Sequence, residues 1–314
     1  MKTTSYQQWA EKLRQYGESD AVRQEMEYWG GEERKRAGRL PRDIEAAGET
    51  GEAANLFGTQ SGVTVWLEEE ETRKLLQDVP GVYQTQINDV LLTALGRVCG
   101  EWSGSDAVLV DLEGHGREDV FAEVDHSRTV GWFTAMYPVL LEVGEAGQWE
   151  PGRALSGTKE QLRGVPQRGI GYGLLRYGRG TGNEDISQRL KEMPQAEISF
   201  NYLGQIDQIL QGSKLFRPGR ERIGSESAAE NPRQHVLAVS GIVVQGKLQL
   251  DWNYSGKLHR RETIEALADR YLDCLRELIA HCLSPDAGGF TPSDFDLAKM
   301  TPGALRQVAA QLDD

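Results

Sequence analysis

Ala107-Val108-Leu109-Val110-Asp111-Leu112-Glu113-Gly114-His115-Gly116-Arg117-Glu118 is a mostly apolar run that ends abruptly in charges and glycines. An apolar stretch of this length bounded by turn residues predicts a buried strand over Ala107–Leu112. Upstream, Ile87, Val90, Leu91, Leu95 and Val98 fall on one face of a helix over Thr85–Trp102. Further upstream, Val63, Val65 and Leu67 alternate as a strand does, and Glu70–Asp78 reads as a short helix. Strand, helix and strand in succession predict an α/β class: a mixed sheet with partly parallel pairing, packed with helices.

Downstream, the spacing predicts a strand over Tyr137–Val143, a helix over Ala154–Leu162 and a strand over Glu197–Tyr202. Leu237–Val244 and Lys247–Tyr254, joined at Gln245-Gly246, read as a hairpin. A long amphipathic helix is predicted over Thr263–Cys282, with Ile264, Leu267, Tyr271, Leu275, Leu278 and Ile279 as its buried stripe. At the other end, Ser5–Tyr16 and Ala21–Trp29 each place large apolar residues at helical spacing. Gly30–Gly62, rich in Gly, Glu and Arg, reads as a surface excursion of low order. The expected organisation is one body over 1–283 and a Pro- and Gly-containing tail or interdomain linker over 284–314.

The composition restricts the function. The 314 residues carry 35 Lys and Arg against 48 Asp and Glu, a formal charge of −13 that disfavours a phosphate backbone, so no nucleic-acid partner is expected. No run of apolar residues is long enough to span a bilayer, and the N-terminus lacks the apolar core of a secretory signal, so no membrane is expected. Cys99, Cys274 and Cys282 are scattered, which matches neither a disulfide framework nor a metal site and suits a reducing, cytoplasmic setting.

Chemistry concentrates in Glu113–Glu118. A carboxylate at a strand end beside glycines can face a cleft while backbone passes close to a ligand. The same run also reads as a glycine turn with solvated charges, and His115 between two glycines reads as a hydrogen-bonded turn residue as readily as a site residue.

The run Glu113-Gly114-His115-Gly116-Arg117-Glu118 resembles the signature of epimerization domains of nonribosomal peptide synthetases. Three more segments are similar to that family's motifs in order and spacing: Arg128–Thr134 followed by Tyr137-Pro138-Val139, then Pro166–Gly173, then Phe200-Asn201-Tyr202-Leu203-Gly204-Gln205. The opening Lys2–Trp9 and the closing Thr291–Phe295 also resemble family segments. Condensation domains share the fold, but they typically lack the Glu-Gly-His-Gly-Arg-Glu run and carry a different stretch where Arg128–Thr134 stands.

The resemblance implies a lobe similar to chloramphenicol acetyltransferase, one of two that enclose a channel. It implies conversion of an L-aminoacyl or peptidyl thioester to the D form. The family's His-His-x-x-x-Asp motif is absent, since His115, His126, His235, His259 and His281 are all isolated. The chain is therefore expected to be the C-terminal lobe, inactive without its N-terminal partner lobe. Removal and return of an α-proton beside a thioester needs acid/base groups tuned toward neutrality. By resemblance Glu113 is the catalytic candidate, and His115, Asn201 and Tyr202 are candidates for binding substrate thioester or pantetheine atoms. Asn201 and Tyr202 read equally as packing residues at a strand end.

Gly169, Gly171 and Gly173 are expected to permit close backbone packing, because their spacing does not suit a phosphate loop. Trp132 and Phe133 are expected as core or interlobe aromatics, and Arg128 as half of an ion pair at the surface or across lobes. The chain itself is expected to bind no metal and no cofactor directly, the 4'-phosphopantetheine arriving on a peptidyl carrier protein. Self-association through the exposed interlobe face is expected where the other lobe is absent. Two further readings are a non-catalytic lobe that docks a carrier protein, and a fragment of a condensation-type, peptide-bond-forming domain.

Overall fold

The computed structural model describes residues 3–45, 53–144, 149–178, 182–206, 224 and 227–295. Helix α1 (Tyr6–Gly17) opens on a capping box, the Ser5 hydroxyl accepting from the Gln8 amide while the Gln8 side chain accepts from Ser5 N–H. The single helix predicted over Ala21–Trp29 is two, α2 (Asp20–Gln24) and α3 (Met26–Trp29), which meet at Glu25. The Glu25 carboxylate is buried and accepts from Trp29 Nε1 at 2.9 Å.

The excursion predicted from Gly30 is anchored over its first part. A 3₁₀ turn at Glu32–Arg36 sinks Arg34 to 3% exposure between the rings of Tyr28 and Trp29. Its guanidinium donates to the carbonyls of Tyr28 and Pro138. Stacking and two carbonyl acceptors compensate a charge that the sequence suggests should be solvated. Leu40 is buried beyond it, and its amide donates to Glu197. Residues 46–52 of the excursion lie outside the described residues.

Strand β1 (Gln60–Leu67) leads into α4 (Glu69–Gln77), α5 (Pro80–Tyr83) and α6 (Ile87–Ser103), and β2 (Ala107–Gly114) follows. Then come β3 (Ala135–Glu142), α7 (Pro151–Arg163), α8 (Ile170–Tyr177), α9 (Glu184–Glu192) and β4 (Ile198–Gln205). The hairpin of β5 (Leu237–Val244) and β6 (Lys247–Ser255) precedes the long α10 (Arg261–Cys282). Gln245 and Gly246 turn the hairpin with φ of 52° and 75°, as a two-residue turn of that hand requires.

The six strands form one mixed sheet in the order β1-β6-β5-β4-β2-β3. The predicted partly parallel pairing is present, but not between β1 and β2. β2 runs parallel to β4 and β4 parallel to β5, while β1 pairs antiparallel with β6 at the other edge. Helix α10 packs on α6 and β1, α7 on α6 and β3, and α8 on β3 with α1 behind it. Since β2, β4 and β5 point the same way, their C-terminal ends open on one side, where ligands of open α/β sheets collect.

Helices α8 and α9 are not among the sequence expectations. Three glycines in the α8 region mask its periodicity, yet Ile170, Tyr172 and Leu175 form its buried face. In the region from Ser284, expected as a tail or interdomain linker, Pro285, Asp286 and Gly288–Phe290 are exposed, while Thr291–Asp294 contacts α7. Asp294 reaches the buried ammonium of Lys159 on α7, and Ser293 binds Glu160. Residues 296–314 lie outside the described residues. Among the described residues, no helix is long and apolar enough to cross a membrane.

Candidate functional site

Glu113 is the penultimate residue of β2 and is exposed. The parallel register pairs Leu112 with Phe200, so Glu113 stands beside Asn201 of β4. Asn201 Nδ2 donates to Glu113 Oε2 at 2.9 Å. Two of the sequence-predicted site residues, 88 positions apart, are thereby brought together. They line a cleft of about 620 Å³ with His115 and Tyr202, so all four candidates share one site.

His115 is oriented by its neighbours. Its Nδ1 accepts from the Arg117 amide at 3.0 Å, which leaves the ring proton of the neutral imidazole on Nε2, 3.3 Å from Glu118 Oε1. The second oxygen of Glu118 faces Arg168 Nε at 3.5 Å. Glu118, mostly buried and the last residue of the signature run, is thus a junction of the site to which the sequence assigns no role of its own. Burial raises the Tyr202 phenol, and burial followed by the charge of Glu118 pushes Tyr137 to about 12. Both phenols stay protonated across neutral pH, where they can donate a hydrogen bond but not act as bases.

The rest of the motif is structural. Arg117 lies 3.9 Å from the Phe133 ring centroid and donates to the carbonyls of His126 and Thr129, which fixes the loop leading to β3. Gly116 has φ +65°, and a Cβ there would overlap the Phe133 carbonyl. Gly116→Ala is therefore expected to cost about 1–2 kcal/mol from the left-handed backbone alone, with more from the overlap. A lowered thermal midpoint checks it, and an unchanged midpoint would refute it.

Beside the end of β2, Gln167 and Arg168 have φ of 41° and 49°, uncommon for residues with side chains. The ring of Tyr137 occupies the place where Gly169 would carry a Cβ. A residue with a side chain at 169 cannot make this approach, and strain of this kind is tolerated where packing over-determines it. Gly171 also makes a close approach, to the Glu25 carboxylate, whereas Gly173 has open space beside it. Arg163 completes the wall, pairing with the buried Asp89 at 2.8 and 3.2 Å. Asp89 also accepts from the Gln86 amide, so the capping box Gln86-x-x-Asp89 is the sequence signal for this pair.

Phe133 is buried among Tyr6, Trp9 and His126 as expected. Of the two places expected for Trp132, the core is excluded: it stands 80% exposed and Val130 94% exposed, on a loop where the Tyr6 hydroxyl donates to the Trp132 carbonyl at 2.7 Å. Arg128 is exposed.

The condensation-domain family matches residues 1–301. One of the linear gramicidin synthase proteins of Brevibacillus parabrevis is 45% identical over 310 residues, which cover 99% of this chain and 4% of that protein. Surfactin synthase subunit 2 of Bacillus subtilis (strain 168) is 36% identical over 313 residues, covering 100% of this chain and 8% of that protein. Among solved structures, the epimerization domain from the third module of tyrocidine synthetase B superposes with a TM-score of 0.77 and 35% identity, covering 90% of this chain and 60% of that one. The chain spans a small part of these synthetases and about three fifths of the solved domain. With a family match over nearly its whole length, a mixed sheet of the matching kind and a cleft at its parallel strand ends, the chain belongs to the condensation-domain family of nonribosomal peptide synthetases.

Proposed function

We propose that this chain supplies one wall of an epimerization site, at which the α-carbon of an L-aminoacyl or peptidyl thioester, held on a peptidyl carrier protein, is inverted. The observation that carries the reading is Glu113, exposed to a cleft at the end of β2 and oriented by Asn201. Its carboxylate takes the α-proton, the electron pair moves into the thioester carbonyl as an enolate, and a proton returns to the opposite face. The phenol of Tyr202, the Asn201 amide and the Nε2 proton of His115 are the groups in reach to donate to thioester or pantetheine atoms. The only prosthetic arm the reading needs is the 4'-phosphopantetheine of the carrier.

The 314 residues hold no His-His-x-x-x-Asp segment to serve the second face. The reading therefore makes the N-terminal lobe a partner, with a second copy of this chain as its substitute on the exposed face. The test uses carrier-bound substrate in deuterated water. The intact domain that includes this chain is expected to place deuterium at the α-carbon, and the chain alone is expected to stay at the no-protein rate. Peptide-bond formation with a second loaded carrier, without α-exchange, would identify a condensing domain instead. Exchange well above background by the chain alone would overturn the need for a second lobe.

A further inference from the structure

The Glu113 cleft is the middle of three basins in series. On one side it shares His115, Glu118 and Arg168 with a charged basin of about 420 Å³ that reaches Asp119 and Gln167. On the other it shares Gln86 and Tyr202 with a more apolar basin of about 500 Å³, lined besides by Leu76, Pro80, Ile87, Gly204 and Gln205. The divide between the middle and apolar basins is preformed. The Gln86 backbone is held by Asp89, whose carboxylate accepts from the Gln86 N–H at 2.7 Å, and the Tyr202 ring packs on the core over Gly241. Leu76 and Ile87 are half-buried, so each presents apolar surface that a ligand can cover.

A thioester is asymmetric in the same sense as this trough. On the sulfur side runs an amide-bearing arm that suits the hydrogen-bonding, charged basin. On the acyl side stands the reacting residue and, in a peptidyl substrate, the residue joined to its nitrogen. The middle basin already lies within the range of about 300–1,000 Å³ that accommodates a whole small ligand, so the reacting residue does not require the apolar basin.

We infer that the Leu76–Pro80–Ile87 basin receives the residue preceding the reacting one, and that the substrate class is a peptidyl thioester with an apolar penultimate side chain. This inference rests on the epimerization reading of the Glu113 cleft.

The experiment titrates the full chain, by ligand-observed NMR, with two non-hydrolysable pantetheine amides. One carries a single aminoacyl group, and the other carries the same group extended by an N-terminal leucyl residue. The leucyl-extended analogue is expected to bind at least about tenfold tighter, equivalent to about 1.4 kcal/mol and well within what burial of one aliphatic side chain provides. That ratio should fall to near one in Leu76→Gln. Ile87→Gln provides the same test should the first variant fail to fold. Glu184→Gln, at the exposed start of α9, should keep the ratio. Equal binding of the two analogues to the unaltered chain overturns the inference and leaves the epimerization reading standing. So does a preference that survives both basin variants. Binding of neither analogue overturns the inference as well, while the epimerization reading is tested separately by α-proton exchange in the intact domain.

Discussion

In the intact domain, Glu113→Gln is expected to slow α-proton exchange by about 100-fold to 10,000-fold, the usual contribution of a positioned general acid or base. The substitution isolates proton transfer. Glutamine keeps the length and volume of the side chain, and its amide oxygen can still accept from Asn201 Nδ2, as Glu113 Oε2 does at 2.9 Å. What is lost is a group able to hold a proton. Because Glu113 is exposed, the thermal midpoint should hardly move, so a fall in exchange is not a fall in folded protein. Asn201→Ala offers a graded comparison. It leaves the carboxylate in place but frees its rotamer, and it should lower the rate less than Glu113→Gln does. Near-normal exchange in Glu113→Gln would make the residue structural and remove the main support for the proposed reaction.

The parts of this fold that are legible in the sequence are those decided locally. Apolar Ala107–Leu112 stopping at Glu113-Gly114 marks β2 to within two residues, and Gln245-Gly246 between alternating runs marks the hairpin. Local periodicity does not say which strand lies next to which. The contact that orients Glu113 depends on β4 sitting beside β2, a pairing across 88 residues that only the motif resemblance suggests. The contact of Glu118 with Arg168 is hidden for a related reason. Arg168 comes from a turn with two left-handed non-glycine residues, next to Gly169, against which the Tyr137 ring packs. Arg34 is equally illegible because its burial needs two aromatic faces and two carbonyls at once, and composition alone places arginine in water.

Lys159→Met is expected to lower stability by about 3–5 kcal/mol, the range for breaking a buried ion pair by removing one partner. Lys159 is 1% exposed, and its ammonium donates to Asp294 at 2.5 and 2.6 Å and to the Tyr83 carbonyl at 2.9 Å. Methionine fills similar volume but leaves a largely buried carboxylate and a carbonyl without their donor. The loss should show as a lowered thermal midpoint and as faster amide hydrogen exchange at Asp294 and Phe295, whose amides bond to Thr291 and Pro292. Pairing the change with Asp294→Leu should restore part of the stability, since an apolar pair avoids the desolvation of two charges. The restoration is partial because Asp294 also caps its own turn, accepting from the Thr291 amide at 2.8 Å. The consequence extends to the cleft. Lys159 lies one helical turn before Arg163, which carries α7 into the Glu113 site by pairing with Asp89. Releasing the 291–294 clamp should therefore loosen the Arg163 wall and lower exchange in the intact domain even at temperatures where it stays folded. A Lys159→Met variant with an unchanged midpoint and unchanged exchange at Asp294 would show that the clamp holds nothing.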